Sequence, residues 1–458
     1  MDRQETPPLG WLGILRLGLV QTALGAVVVL TTSAINRVMV VELALPATVP
    51  GLLVGLHYAV QILRPRMGHG SDVGGRRTPW IVGGTAALAL GGTAAAVSVA
   101  VVEAAGLAAG LAVAVLAFLL IGAGIAAAGT SLLVLLAARV APERRAAAAS
   151  LVWIMMIAGF VVTTAAAGRL LDPYSPGRLV AVSAGVCVLA FLLASAAVWG
   201  VEPRSRDGDV PAAPGTATVE RPAFHDALRQ VWGERDARRF AVFVFVSMLA
   251  YSAQDLVVEP FGGAVFALSL GGTTRLASVQ HAGVLLGMVA VALAGSARAS
   301  DRAGRLRRLA SGGCIGAALA VLGLAGLGLL ADARPLAAVC FAVGVGDGVF
   351  AAAAIASMMN LAGQGGDGRA GVRMGVWGAA QAIAFGLGGL VGTAAVDAAR
   401  FAFGTPAVAY GLVFAADALL FLWAALLAVR VGRSCAPADA AGGDTRHGAS
   451  ADLGAKLA

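Results

Sequence analysis

GHGSDVGGRR, residues 68–77, is a short polar break between two long apolar runs. Gly68 and Gly75 let neighbouring helices approach closely, and Asp72 stands close to Arg76 and Arg77 in a tight loop. An acid and two arginines so placed can pair with one another and with helix ends. Such a network latches one helix pair against another in one conformation. Further along, residues 301–305 read DRAGR. Asp301, Gly304 and Arg305 each stand 229 positions after Asp72, Gly75 and Arg76. Ala297 occupies the place of Gly68, so only the first copy is complete. A second echo sets Arg145 and Trp153 against Arg369 and Trp377 at the same internal spacing. Two parallel halves are the expectation, as in transporters built from internal repeats.

The apolar runs around the loop decide the solvent. Of 458 residues, 59% are hydrophobic and 13% charged, and mean hydropathy is +0.85. Soluble domains carry about 25% charged residues, so a soluble enzyme and a disordered chain are both excluded. Long unbroken runs, rather than alternation, exclude an outer-membrane barrel. A bilayer-crossing helix needs about 20 mostly apolar residues. Twelve stretches meet that length: 14–36, 49–67, 79–100, 109–138, 147–169, 179–200, 239–258, 274–295, 309–331, 335–360, 372–398 and 406–430. The expected fold class is an all-α polytopic membrane protein with twelve transmembrane helices in two six-helix halves. Residues 1–200 form the first bundle and 239–431 the second. The polar stretch 201–238 links them, and its second part has the spacing of an interfacial amphipathic helix. Residues 432–458 read as a disordered tail. The N-terminal stretch lacks a small-residue cleavage site, so the first helix is expected to stay in the mature chain.

Charge sets the orientation. Of the 33 basic residues, all but Lys456 are arginine. Twenty-six fall on the side shared by the N-terminus, the even-numbered loops and the tail, and 6 on the other. Both termini are therefore expected in the cytoplasm. The net charge of +8 is a topology signal and not a nucleic-acid footprint. The four cysteines are scattered, no dissociable metal is expected, and no nucleophile elbow, phosphate loop or metalloprotease motif appears.

Ionisable and polar residues inside spans point to function by default. His57 and Gln61 lie in the second span, and His281 lies in the eighth. Both histidines are expected in the outer third of the membrane. A neutral imidazole there can ligate the magnesium of a chlorin ring; an interhelical hydrogen bond is the ordinary alternative. Arg37 lies at the outer end of span one. Gln254, Asp255 and Glu259 close span seven, where Glu259-Pro260 reads as a helix end. A pairing of Asp255 and Glu259 with Arg37 across the interface is open to them. Asp347 sits mid-span among glycines and is the candidate proton carrier, with a structural hydrogen bond as the alternative. Asp417 lies in the twelfth span.

The loop string G-x3-D-x2-G-R-R resembles the signature loop of the major facilitator superfamily, which implies a major-facilitator-type fold. Three longer strings narrow the likeness: 15–72 with its NRVM, AQDLVVEPFGG at 253–263 and MGVWGAAQAIAFGLGG at 374–389. Together they resemble the PucC/LhaA, or bacteriochlorophyll delivery, family, nearest to its bacteriochlorophyll synthase accessory branch. That resemblance implies an assembly factor for light-harvesting complexes, not an enzyme. It implies bacteriochlorophyll as a transiently bound cofactor, contacted by His57, His281, Gln61 and Gln254. It implies bacteriochlorophyll synthase and light-harvesting apoproteins as partners, besides membrane lipid. The alternative is a secondary transporter of a small amphipathic solute coupled to protons.

Overall fold

A computed structural model describes residues 9–61, 76–141, 144–202, 233–295, 302–363 and 370–430. Most of the linker 201–238, the tail 432–458, and Gly68, Asp72, Gly75 and Asp301 of the latch motif lie outside these residues. Among the described residues the chain forms twelve helices. In the first half these are α1 (Trp11–Leu30), α2 (Thr48–Val60), α3 (Thr78–Ala105), α4 (Leu107–Arg139), α5 (Arg145–Leu170) and α6 (Pro176–Val198). In the second they are α7 (Arg235–Phe266), α8 (Leu270–Gly295), α9 (Arg302–Leu330), α10 (Leu336–Gly363), α11 (Ala370–Phe403) and α12 (Pro406–Arg430). Eleven helices are long and apolar enough to cross a membrane; α2 is shorter as described, and residues 62–75 beyond it are not described. Successive helices alternate in direction, so Leu9 and Arg430 lie at one face, called here the terminal face; the opposite one is the far face.

The helices pack twice in the same way. In the first half α1 packs on α5 and α6, α3 on α4 and α6, and α2 on α4. In the second half α7 packs on α11 and α12, α9 on α10 and α12, and α8 on α10. The halves meet through α2 on α11 and, reciprocally, α5 on α8. Each set surrounds its own apolar core. The 229-residue offset of the loop continues into this packing: Gly84 and Gly313 stand that distance apart. A Cβ on Gly84 would meet Gly124 O and Ala128 N of α4 within 3 Å; one on Gly313 would meet Gly346 O and Phe350 N of α10 as closely. With no hydrophobic drive between helices in lipid, such small-residue contacts hold the bundle.

Helix α1 continues past Leu30 through two π-helical turns, Thr31–Ile35 and Val38–Glu42. Its partner α7 holds Pro260 within the helix. Glu259-Pro260 therefore does not end the span, which runs on to Phe266. Proline lacks the N–H that would bond the carbonyl four residues back, here that of Leu256. Asn36, between the two π turns, supplies the missing donor: its Nδ2 donates to Leu256 O at 2.8 Å. An unpaired carbonyl at this depth would cost several kcal/mol, so Asn36 lets the helix continue. Beside it, the Ser33 hydroxyl donates to Glu259. Arg37 pairs with Glu42 of its own segment and donates to Leu268 O at 2.8 Å. Its ion pair is thus local, and its link across the halves is to a backbone carbonyl instead of to Asp255 or Glu259.

Two further carboxylates join the halves at the far face. Asp397, late in α11, accepts from Ala47 N (2.9 Å), Thr48 N (2.7 Å) and Thr48 Oγ1 (2.6 Å) at the start of α2. Asp172, just past α5, accepts from Gly271 N (2.9 Å), Ser269 Oγ (2.9 Å) and Arg275 (3.3 Å) at the start of α8. Each acid caps a helix of the opposite half, where exposed N–H groups and the helix dipole favour negative charge. The two caps are related by the same internal symmetry as the helices. The cap on α8 also explains why that helix starts at Leu270, four residues before the apolar run.

At the terminal face Glu202, beyond α6, accepts from Arg77 N (2.9 Å), Thr78 N (2.7 Å) and Thr78 Oγ1 (2.7 Å), and so fastens α6 to the start of α3. Burial alone would push this carboxyl up, but the Thr78 hydroxyl and N–H, the Arg77 N–H and the Arg77 charge outweigh it and hold it below the ordinary glutamate range. Its stabilising effect is complete above that ordinary range and is lost as pH falls through the depressed value. The melting temperature of the wild type should therefore drop over this acidic window. A parallel scan of Glu202→Gln should lack that drop; identical profiles would remove Glu202 from the account.

Candidate functional site

A cavity of 270 Å³ lies between the halves. Its walls come from α1, α2, α4 and α5 on one side and from α7, α8, α10 and α11 on the other, while α3, α6, α9 and α12 stand outside. It reaches from Thr32, Asp255 and His281 at mid-depth toward Leu133, Trp153 and Ile355 nearer the terminal face. The far-face contacts just described close it on the other side. Most of the lining is apolar, with Met156, Met248 and Met288 among flexible side chains that adapt to irregular guests.

Four of the residues singled out from sequence come together here: His57, Gln61, His281 and Asp255, with Asp347 as a fifth. Gln254 lies behind the wall, 1% exposed, and donates from Nε2 to Asp347 Oδ2 at 2.5 Å. Arg37 and Glu259 belong to the far-face closure. Asp417 is buried in α12, away from the lining. Of the latch residues, Arg76 is exposed, Gly304 is buried and Arg305 is half-buried. Arg77 contributes its backbone N–H to Glu202.

The histidines lie well inside their helices. Each lies about three turns from the far end of its helix, or roughly 14–17 Å at 1.5 Å per residue, near the middle of a hydrocarbon layer about 30 Å thick. His57 Nδ1 donates to Val54 O at 2.9 Å, and His281 Nδ1 to Ala277 O at 2.8 Å. A backbone carbonyl can only accept, so Nδ1 carries the proton and Nε2 is left as the acceptor nitrogen in both rings. That tautomer is the one that would leave a ring nitrogen able to hold a magnesium ion. Aromatic faces surround the pair. Phe160 meets His281 edge-on at 5.0 Å, and Tyr58, Phe385 and Tyr251 form a row with centroids 5.5 and 5.7 Å apart.

Donor chemistry and space point in different directions for a chlorin pigment. Imidazole Nε2 atoms and aromatic walls suit the magnesium and the flat ring. Pockets for drug-sized ligands run about 300–1,000 Å³, and bacteriochlorophyll with its isoprenoid tail is larger than such ligands. The 270 Å³ cavity does not hold the whole pigment in this conformation. No cluster of three histidine, cysteine, aspartate or glutamate side chains that could hold a metal ion occurs among the described residues.

Sequence reasoning missed most of the aromatic wall and both far-face caps. Asp172 and Asp397 stand 225 apart, one residue off the 224-residue spacing of the Arg–Trp echo. Extending that echo to the ends of its two helices would have found them. The echo itself diverges in role. Trp153 lines the cavity, whereas Trp377 is 1% exposed and donates Nε1 to Ala237 O at 3.2 Å.

The family model described as PUCC protein matches residues 34–436. The chain belongs to the PucC family. The bacteriochlorophyll synthase 44.5 kDa chain of Rhodobacter capsulatus is 49% identical over 423 residues, covering 92% of this chain and 96% of that one. Protein PucC of Rhodobacter capsulatus is 31% identical over 439 residues, covering 91% of each. Among solved structures, a bacterial homologue of the human lysosomal transporter Spinster, inward-facing and unoccupied, matches with TM-score 0.62 at 16% identity, over 92% of this chain and 96% of that one. The nucleoside transporter NupG matches with TM-score 0.62 at 12% identity, over 92% and 99%. At such identities the likeness concerns the fold, and this PucC-family chain has the fold of major facilitator transporters.

Proposed function

We propose that this chain is a non-enzymatic assembly factor that handles bacteriochlorophyll, delivering it to light-harvesting complexes or assisting their assembly in a phototrophic bacterium. One observation carries the reading: the match to a chain named for bacteriochlorophyll synthase is 49% identical and spans 92% of this chain. The Nε2 atoms of His57 and His281 are the groups that would meet the central magnesium, with Gln61 also on the wall; Gln254, behind the wall, acts at most through Asp347. Because the cavity is smaller than the pigment, binding goes with a wider separation of the halves. Bacteriochlorophyll synthase and antenna apoproteins are the partners on this reading, and the terminal face is cytoplasmic, in agreement with the arginine distribution. Residues 201–238 form the linker between the two bundles.

The test is an absorption spectrum of tagged protein purified in mild detergent from a pigment-producing phototroph. A co-purifying near-infrared bacteriochlorophyll band is expected, falling at least severalfold in a His57→Ala/His281→Ala variant. A band unchanged in the variant removes the histidine roles. No band in a folded, monodisperse preparation removes pigment handling. The second reading, a proton-coupled transporter of an amphipathic solute, is favoured by one feature: Asp347 and Asp255 line a cavity between the halves of a transporter-type fold.

A further inference from the structure

Two glutamines of the cavity wall are held by sulfur alone. Gln21 of α1 and Gln381 of α11 both line the cavity and are half-buried there. Gln21 Nε2 donates to Met156 Sδ at 3.2 Å, and Gln381 Nε2 to Met248 Sδ at 3.9 Å. Each bond ties the leading helix of a half to its fifth helix, α1 to α5 and α7 to α11. No other hydrogen bond of either amide occurs among the described residues. A thioether is a weak acceptor, while a carboxamide has two N–H donors and an oxygen to satisfy. In a mostly apolar wall a poorly satisfied amide is costly, so a better acceptor entering the cavity would draw each amide off its sulfur.

The two pairs repeat with the architecture. Met156 and Gln381 stand 225 residues apart, as do Phe160 and Phe385, and as do the caps Asp172 and Asp397. Donor and acceptor have changed places between the halves, yet both halves keep an amide–sulfur pair. Each pair also has an imidazole along the same wall. Phe160, one turn after Met156, meets His281 at 5.0 Å. Phe385, one turn after Gln381, meets Tyr58 at 5.5 Å, and Tyr58 meets His57 at 4.1 Å. Gln21 and Gln381 lie roughly 15–17 Å from the terminal-face ends of α1 and α11. The histidines lie about as far from the far-face ends of α2 and α8, so all four share one level of a layer about 30 Å thick. The cavity thus has two equivalent corners, each with an imidazole, a phenyl ring and an amide donor. A bacteriochlorophyll ring offers what such a corner lacks: ketone and ester oxygens at its edge, which accept far better than sulfur.

We propose that Gln21 and Gln381 are the ring-reading donors of the cavity, each leaving its methionine sulfur to donate to a ketone or ester oxygen at the edge of a bound pigment ring. The inference rests on the pigment reading and adds to it the residues that fix how the ring is turned. An imidazole on the magnesium leaves the ring free to rotate about the metal–nitrogen axis; a hydrogen bond at the edge removes that freedom. Gln21 and Gln381 are in this sense positioning residues.

Resonance Raman spectra of pigment co-purified with the full chain read the C=O stretches of the ring directly. At least one ring carbonyl is expected at the lowered frequency of a hydrogen-bonded group. Gln21→Met and Gln381→Met nearly keep the side-chain volume, the kind of change a packed wall tolerates best, and remove the donor. The double variant should return that stretch to its frequency in apolar solvent while the near-infrared band is retained. Met156→Leu and Met248→Leu, which free the amides, should leave the stretch lowered. A stretch already at the apolar-solvent frequency in the wild type, or one still lowered in the folded double glutamine variant, overturns the inference. Loss of the whole band from that folded variant overturns it too, because His57 and His281 are intact and the amides would then only hold the wall. A wild type without any pigment overturns the pigment reading and this inference with it, and is told apart because the band is missing before any glutamine is changed.

Discussion

Replacing Asp172 and Asp397 together by alanine should open the far face. Asp397 holds the first turn of α2 through three hydrogen bonds, and Asp172 holds the start of α8 through two and pairs with Arg275. Loss of an N-cap costs about 0.5–2 kcal/mol, and the Arg275 contact, partly exposed, adds less. The caps lie on separate helix pairs, so their effects add. A joint loss of about 3 kcal/mol corresponds to roughly a hundredfold shift from closed to open. Thr32 lines the cavity and is 9% exposed. A Thr32→Cys reporter, with the native cysteines replaced, should react with a membrane-impermeant maleimide from the far side about a hundredfold faster in the double variant. Equal rates in a folded protein would mean that the closure rests on Ser33, Asn36 and Arg37 instead.

The largest effect on folding is expected at Gly344. Helices α8 and α10 are brought together by Gly283 and Gly287 on one and Gly344 and Gly348 on the other. A Cβ at Gly344 would stand 1.9 Å from Gln280 O, and at Gly348 2.1 Å from Val284 O. On the facing helix the corresponding distances are 2.2 Å from Phe341 O for Gly283 and 2.5 Å from Val345 O for Gly287. These are backbone atoms, which cannot turn aside as a side chain can. Overpacking typically costs about 1–3 kcal/mol where side chains can yield, and here the helices themselves must part. Gly344→Leu should abolish recovery of a monodisperse protein, and Gly344→Ala should lower the melting temperature clearly. Gly185→Leu is the control, since a Cβ there meets nothing within 4 Å. If both leucine variants purified alike, close helix approach would not be what holds this bundle.

The fold was legible because lipid simplifies the reading. Span length, loop charge and a repeated loop string each have one physical cause, and all three agree on two bundles of six. The 229-residue offset was visible in the loop and proved to run through Gly84 and Gly313. The site was half legible. His57, His281, Asp255 and Asp347 announce themselves as polar residues in apolar helices. Their gathering does not, because it depends on how the halves face one another. Pro260 misled for a different reason: the group that rescues its helix is Asn36, over two hundred residues away. The start of α8 was placed four residues late, because the cap from Asp172 begins the helix before its apolar run.

The rescue of α7 has a mechanical corollary. Thr31, where the first π turn begins, and Pro260 are also 229 residues apart. The leading helix of each bundle thus carries its flaw at the same depth, and one hydrogen bond from Asn36 bridges the two flaws. A rod yields where its ladder is already interrupted. Flexure in both bundles is therefore concentrated just beyond the cavity, where Ser33, Asn36 and Arg37 tie the two helices together. The two halves can tilt about that shared joint while the rest of each helix stays straight.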